Sequence, residues 1–316
     1  MSAERLARYG AHLLLDWLNE RFEARFALSD ALDGAFIGSD GAHRAGVFVA
    51  PLWEPDAAWE ERLRAMEARL DQGGVVPAGR QVDGAYLLWV PPRADVPVDD
   101  DDATVFAQRV LDTAASLAPG ERAEVTFPAV VRMGKSREEG GYASVAGGLS
   151  RWWTRITESV QGTFTVDSTA VHRITHDGDA REQLWETIGQ IAKGVGVGQA
   201  AEFEVDEAWT LQRLSIAGRG FALAGAPPSV DPTEGIVVRR AARKRLQSAN
   251  EALAPLDVEL RAVGLLGCYE YGELEGAGAT VKALDPGLYS RLEAVCVLAD
   301  GDVRPTFLPR SLPWAQ

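Results

Sequence analysis

The stretch GAFIGSDGAHRAGVFVAPLWEPDAAWEERLRAMEARLDQGG, residues 34–74, decides the fold class. Two short apolar runs, GAFIG and AGVFVAPLW, are separated by SDGAHR, whose Asp40-Gly41 step is a hairpin signature. Pro55 and Asp56 then open a helix that stops at Gly73-Gly74. Upstream, Leu6, Leu13, Leu14, Trp17, Leu18 and Phe22 recur near helical spacing and predict a helix over 3–26. Downstream, GAYLLWV (84–90) has the continuous apolar character of a strand buried on both faces. Helix, two strands, helix, strand is the order of an α/β or α+β chain, with mixed sheets and flanking helices.

The remainder continues in the same style. A polar linker, PPRADVPVDDDDAT, leads into a helix from about 103 to 117, and AEVTFPAVVRM (123–133) is a strand. GKSREEGGYASVAGG (134–148) is rich in glycine and charge and reads as a loop. A short helix over 149–160, a strand over 162–174 and a helix over 179–194 follow. AEFEVD, WTLQRLSIA and GFALAGA read as strands, and a basic helix covers 238–253. The last pair of strands turns at Asp300-Gly301. Two subdomains are expected, an N-terminal α/β domain over 1–147 and a C-terminal α+β domain over 148–316.

Bulk properties narrow the function classes. The 316 residues are 46% hydrophobic and 25% charged, the balance of a folded chain. No apolar run approaches the roughly 18 residues of a membrane helix, so no membrane partner is expected. MSAERLARYG has no apolar signal core, and a cytoplasmic location is expected. Cys268 and Cys296 lie in apolar runs and read as reduced core residues. A net charge of −14 argues against broad binding to a phosphate backbone.

The chemistry-bearing motifs each have a plainer reading. In AVHRITHDGDARE (170–182), His172, His176 and Asp177 have the residue types of a transition-metal site. Asp179 with Glu182 three positions on also reads as a capping box, and a helix start explains more of the residues. MGKS (133–136) has Ala129 where a phosphate loop needs glycine. GVGVGQ (194–199) follows a helix instead of a strand. Asp99 to Asp102 suit a helix N-terminus better than a hard cation, and Glu270, Glu273 and Glu275 sit in a glycine-rich turn. No Gly-x-Ser-x-Gly is present. No catalytic residue and no cofactor is therefore assigned, a divalent metal ion being the alternative.

Two stretches have the make-up of nucleic-acid contacts. RRAARKR carries Arg239, Arg240, Arg243, Lys244 and Arg245 on one helix. SRWWTR sets Arg151 and Arg155 beside Trp152, as in a stacking platform.

The order of elements over 3–92 resembles the core of restriction-endonuclease-like nucleases. That family places an Asp on one strand and Glu-x-Lys on the next. The resemblance implies Asp33 or Asp40 in the first role. The next strand, GVFVAPLW, offers Phe48 and Ala50 at the other positions and Glu54 only at its end. It implies a nuclease fold without its active site, reused for binding or scaffolding. The reading that follows is a non-catalytic binding or assembly component with a protein partner or a second copy, an accessory subunit of a nucleic-acid-processing or defence complex. A metal-dependent, nuclease-like hydrolase and a nucleic-acid-binding protein using 239–245 are the alternatives.

Overall fold

A computed structural model describes residues 2–32, 34–73, 82–231, 234–267, 286–288 and 290–314. The chain is α/β, with two mixed six-stranded sheets and flanking helices. It divides into two compact units, Met1–Ala123 with Thr210–Gln316, and Glu124–Trp209. The second unit is therefore an insertion into the first. The expected boundary at 147 instead falls inside that insertion, at the end of a strand.

The first unit begins with α1 (Ser2–Phe22), followed by β1 (Ala27–Leu32), β2 (Ala35–Ser39) and β3 (Arg44–Pro51). Next come α2 (Ala57–Gln72), β4 (Ala85–Trp89) and α3 (Asp100–Ala114). The strand β5 (Arg122–Arg137) leaves this unit and β8 (Ala200–Arg213) returns to it. Then follow β9 (Gly220–Ala224), α6 (Gly235–Leu253), β10 (Leu260–Leu266), β11 (Ala294–Ala299) and β12 (Asp302–Phe307). The first sheet has the order β1-β2-β3-β10-β11-β12, with β3, β10 and β11 parallel and the outer pairs antiparallel. In the second sheet β4 lies between β8, antiparallel, and β9, parallel.

Strand periodicity explains how both faces of the first sheet are covered. On β10 and β11, Leu260, Ala262, Leu266, Ala294, Cys296 and Leu298 pack with α1. Their alternates Val263, Leu265, Val295 and Val297 pack with Val238, Ala242 and Leu246 of α6. The α1 helix also meets Ala85 and Leu87 of β4 and Ala222 and Ala224 of β9, so both sheets share it as a common core layer. Gly10 permits the close approach: a Cβ there would lie 2.8 Å from Cγ1 of Val49.

The helix α2 closes the free edge of β9. Gly220 donates inward to Gly84, so the odd-numbered amides point outward. The amide of Phe221 donates to Asp71 at 2.8 Å and that of Leu223 to Glu67 at 3.0 Å. Two strand residues and four helix residues both advance about 6–7 Å, so carboxylates at i and i+4 match alternate amides. Arg5 donates to the Phe221 carbonyl and pairs with Asp71 at 2.7 Å, and Trp59 donates to the Gly225 carbonyl.

The second unit holds most of β5, with β6 (Gly141–Gly147), α4 (Trp153–Ser159), β7 (Gly162–Ser168), α5 (Gly178–Gly194) and the start of β8. Its core joins Val131, Met133, Phe164 and Val166 to Trp185 and Ile188. The expected loop over 134–148 is instead the end of β5, a turn and β6, which pairs in parallel with β7. The strand expected over 162–174 ends at Ser168, and AEFEVD and WTLQR belong to one strand, β8. Cys268, Glu270, Glu273, Glu275 and Asp33 lie outside the described residues. None of the described helices is long and apolar enough to cross a membrane.

Candidate functional site

The apolar stripe of α1 faces the core through Leu14 and Leu18, while Arg8, His12, Asp16 and Glu20 recur every four residues. That spacing stacks them along one face of the helix. A cavity of about 600 Å³ lies beside this row. Its walls include Asp16, Trp17 and Glu20 of α1, the segment 212–215 at the end of β8, and residues 301–304, from the β11–β12 turn into β12. A second cavity, of about 710 Å³, is lined by Arg8, His12 and Asp16, by β1 and by residues 215–217. Asp16 and Ser215 line both, so the two form one cleft along α1.

Each wall has a local cause. Asn19 accepts from the amide of Phe26 and donates to its carbonyl, both at 2.8 Å, tying the end of α1 to the start of β1. The Asp300-Gly301 turn has positive φ at both residues, 56° and 79°, as a two-residue hairpin requires. In β8, Arg213 donates to the carbonyls of Leu117 and Asp83, whereas Leu214 packs into the α1 core. Alternation therefore turns Gln212 to the Leu214 side, where it is only 8% exposed, and the residue lines the cavity. Its Oε1 is shielded from solvent and meets no hydrogen-bond donor among the described residues.

The ionisable groups of this cleft are perturbed. Desolvation, with Glu20 adding repulsion, raises the Asp16 carboxyl above its ordinary value, although its outer side meets solvent. Desolvation and then Arg8 lower the His12 imidazole. The cations across the cavity are committed: Arg122 pairs with Asp302, and Arg304 lies 3.8 Å from the same carboxylate. Among the described residues neither Asp16 nor Glu20 has an ion-pair partner. Groups with shifted ionisation gathered in a cleft make this the candidate site.

A separate cavity of about 410 Å³ lies where β3 and β10 end, lined by Leu6, Trp53, Trp59 and Leu63. Of its polar groups, Asp56 caps α2 by accepting from Trp59, and Arg64 donates to the Glu60 carbonyl.

The residues singled out in the sequence are dispersed. Asp40 accepts from the amides of Ala42 and His43 in the β2–β3 turn, which lowers its carboxyl. Glu54 pairs with Lys244 at 2.9 Å. His172 Nδ1 lies 3.1 Å from buried Glu207, which also accepts from the Trp209 indole at 2.7 Å. The His176 amide donates to Glu124 at 2.7 Å. Asp177, and not Asp179, caps α5 by accepting from Ala180, while Glu182 pairs with Arg155. No three potential metal ligands gather among the described residues.

On α6, Arg245 donates to the carbonyls of Pro51 and Trp53. Arg240 and Arg243 are exposed and Arg239 is half-buried, none with an ion pair among the described residues. Trp152 packs on Trp185 at 5.7 Å, with Arg151 and Arg181 at 5.6 and 5.5 Å from its ring. The α1 row escaped the sequence reading. Its signal was an ionisable residue at every fourth position from Arg8 to Glu20.

Comparison with protein-family models, with curated proteins and with solved structures returned no match.

Proposed function

We propose that this protein is a binding component that works without covalent chemistry, and that the α1 cleft is where it holds its ligand. One observation carries the reading: Asp16, Glu20 and Ser215 line one concave cavity beside α1, and among the described residues neither carboxylate has an ion-pair partner. Converging polar groups in a concave site give a ligand orientation and specificity. An accessory role beside a protein partner fits such a component. The test is a thermal-shift screen of small soluble compounds against the wild type and Glu20→Arg, a charge reversal at an exposed position. Compounds that stabilise the wild type and not the variant support the reading. A screen in which no compound stabilises, or every hit acts equally on both, overturns it.

A second reading is favoured by the exposed Arg240 and Arg243 beside Arg239 on α6: contact with the phosphates of a nucleic acid. It predicts affinity that falls with salt, and a shallower salt slope when Arg239, Arg240 and Arg243 become Ala. Unchanged affinity and slope in that triple variant would remove it.

A further inference from the structure

Beyond β12 the segment 308–314 forms neither helix nor strand, and side chains hold it to the first unit. Leu308, Leu312 and Trp314 pack with the core cluster around α1. Trp314 is gripped from two directions. Its ring meets that of Phe26 edge-on, with centroids 5.7 Å apart. It also lies flat on the His43 imidazole, 4.2 Å away and tilted by 7°. Phe26 lines the cavity of about 710 Å³, so Trp314 touches a wall residue of the cleft.

The His43 ring is fixed in turn. Its Nδ1 lies 3.1 Å from Glu259, just before β10. The other Glu259 oxygen accepts from the Arg44 amide at 2.7 Å, while the Glu259 amide donates to the Arg44 carbonyl. The carboxylate therefore cannot swing away without giving up a backbone bond. Asp40, in the same turn as His43, is the second acid acting on this cluster. The cations beside these groups in sequence, Arg25, Arg44 and Arg310, are exposed, where solvent and salt weaken their effect.

We infer that the segment 308–314 is a proton-sensitive strap, latched by His43 more tightly when its imidazole is charged. A neutral imidazole offers Trp314 a flat apolar face and gives Glu259 one hydrogen bond. An imidazolium adds attraction to the face of the indole and to the two carboxylates. Both acids stay ionised across the range in which imidazoles titrate. The Arg44 amide, and then His43, hold the Glu259 carboxyl below its ordinary value, and the amides of His43 and Ala42 do the same for Asp40. The sign follows: the strap tightens as pH falls from 8 to 6 and loosens as pH rises. This device stands apart from the ligand-holding role proposed above.

Proteolysis at the exposed Arg310–Ser311 bond reads the open fraction, because cleavage that is slow beside opening tracks the open population. The full chain is treated with dilute trypsin at pH 6 and pH 8, and loss of residues 311–316 is followed by mass spectrometry. Each rate is divided by that of a free peptide of residues 305–316 at the same pH, which removes the pH dependence of the protease. The normalised rate is expected to be about threefold or more lower at pH 6, the worth of one exposed ion pair with a cation over an indole. His43→Phe keeps a flat ring under Trp314 and should give equal normalised rates at the two values. Glu259→Gln keeps an acceptor for the Arg44 amide and should shrink the difference. Thermal unfolding shows that both variants are folded. Equal normalised rates in the wild type overturn the inference. So does a difference of undiminished size in either variant, since the proton would then act elsewhere.

Discussion

Asp16 and His12 are one helical turn apart, and burial pushes both toward their neutral forms. The raised Asp16 value means that the folded chain holds this proton more tightly than the unfolded chain. Stability therefore declines as pH rises from the unfolded carboxyl value, near 4, through the folded value, and the penalty is complete above it. Asp16→Asn is expected to raise the thermal midpoint near pH 7 and to leave it unchanged near pH 3.5. The gain is under about 1 kcal/mol, because the carboxyl keeps contact with solvent. The lowered imidazole acts in the opposite sense: its contribution is lost as pH falls from about 6.5 through the folded value. Thermal unfolding from pH 3.5 to 8 checks both, and an identical gain for Asp16→Asn at both ends would show a carboxyl unaffected by folding. Single residues were only partly legible beforehand. A helix start near 178 could be read from the acids of HDGDARE, but Asp177 and Asp179 are equally good caps in isolation. The choice between them rests on backbone direction, since Asp177 has the extended conformation a cap requires. The α1 row stayed hidden for a different reason. Its meaning depends on what lies across the cleft, and much of those walls comes from residues 212–217 and 301–304, far along the chain.

At the scale of elements, the long amphipathic helices and the apolar strands were readable because their periodicity is strong. The β6 strand was not, because GGYASVAG lacks alternation and its glycines resemble a loop. Tertiary packing demands them: a Cβ on Gly147 would lie 2.2 Å from the Ser168 carbonyl, and its φ is 86°. The partnership of α2 with β9 was equally unreadable, since it joins residues some 150 positions apart. It is measurable all the same. Asp71→Ala strands the Phe221 amide and leaves Arg5 without its carboxylate, for a loss of roughly 2 kcal/mol in urea unfolding. Asp71→Asn keeps an acceptor and should lose about half as much. Equal losses in the two variants would mean that charge alone matters at this position, and no loss in either would mean that the edge is not held there.

Across the whole molecule, each apolar cluster described above draws its residues from one unit only. A sequence scan looks for boundaries in single linkers, so an insertion whose two crossings run inside strands β5 and β8 leaves no compositional trace. The crossings are adjacent in space, since Gly120 donates to the Arg213 carbonyl and Arg213 donates to that of Glu121, both at 2.9 Å. Replacing Glu124–Trp209 by an Asn-Gly turn should therefore give a shorter chain that still unfolds in one cooperative step and keeps its near-ultraviolet circular dichroism. A broad, gradual transition would show that the larger unit depends on the smaller. The margin of β9 has a consequence at this scale too. A stray strand from a neighbouring copy finds the amides of Phe221 and Leu223 already spoken for, so crowding gives the sheet no means of lengthening on that side. Pairing by an added strand is closed off along that margin.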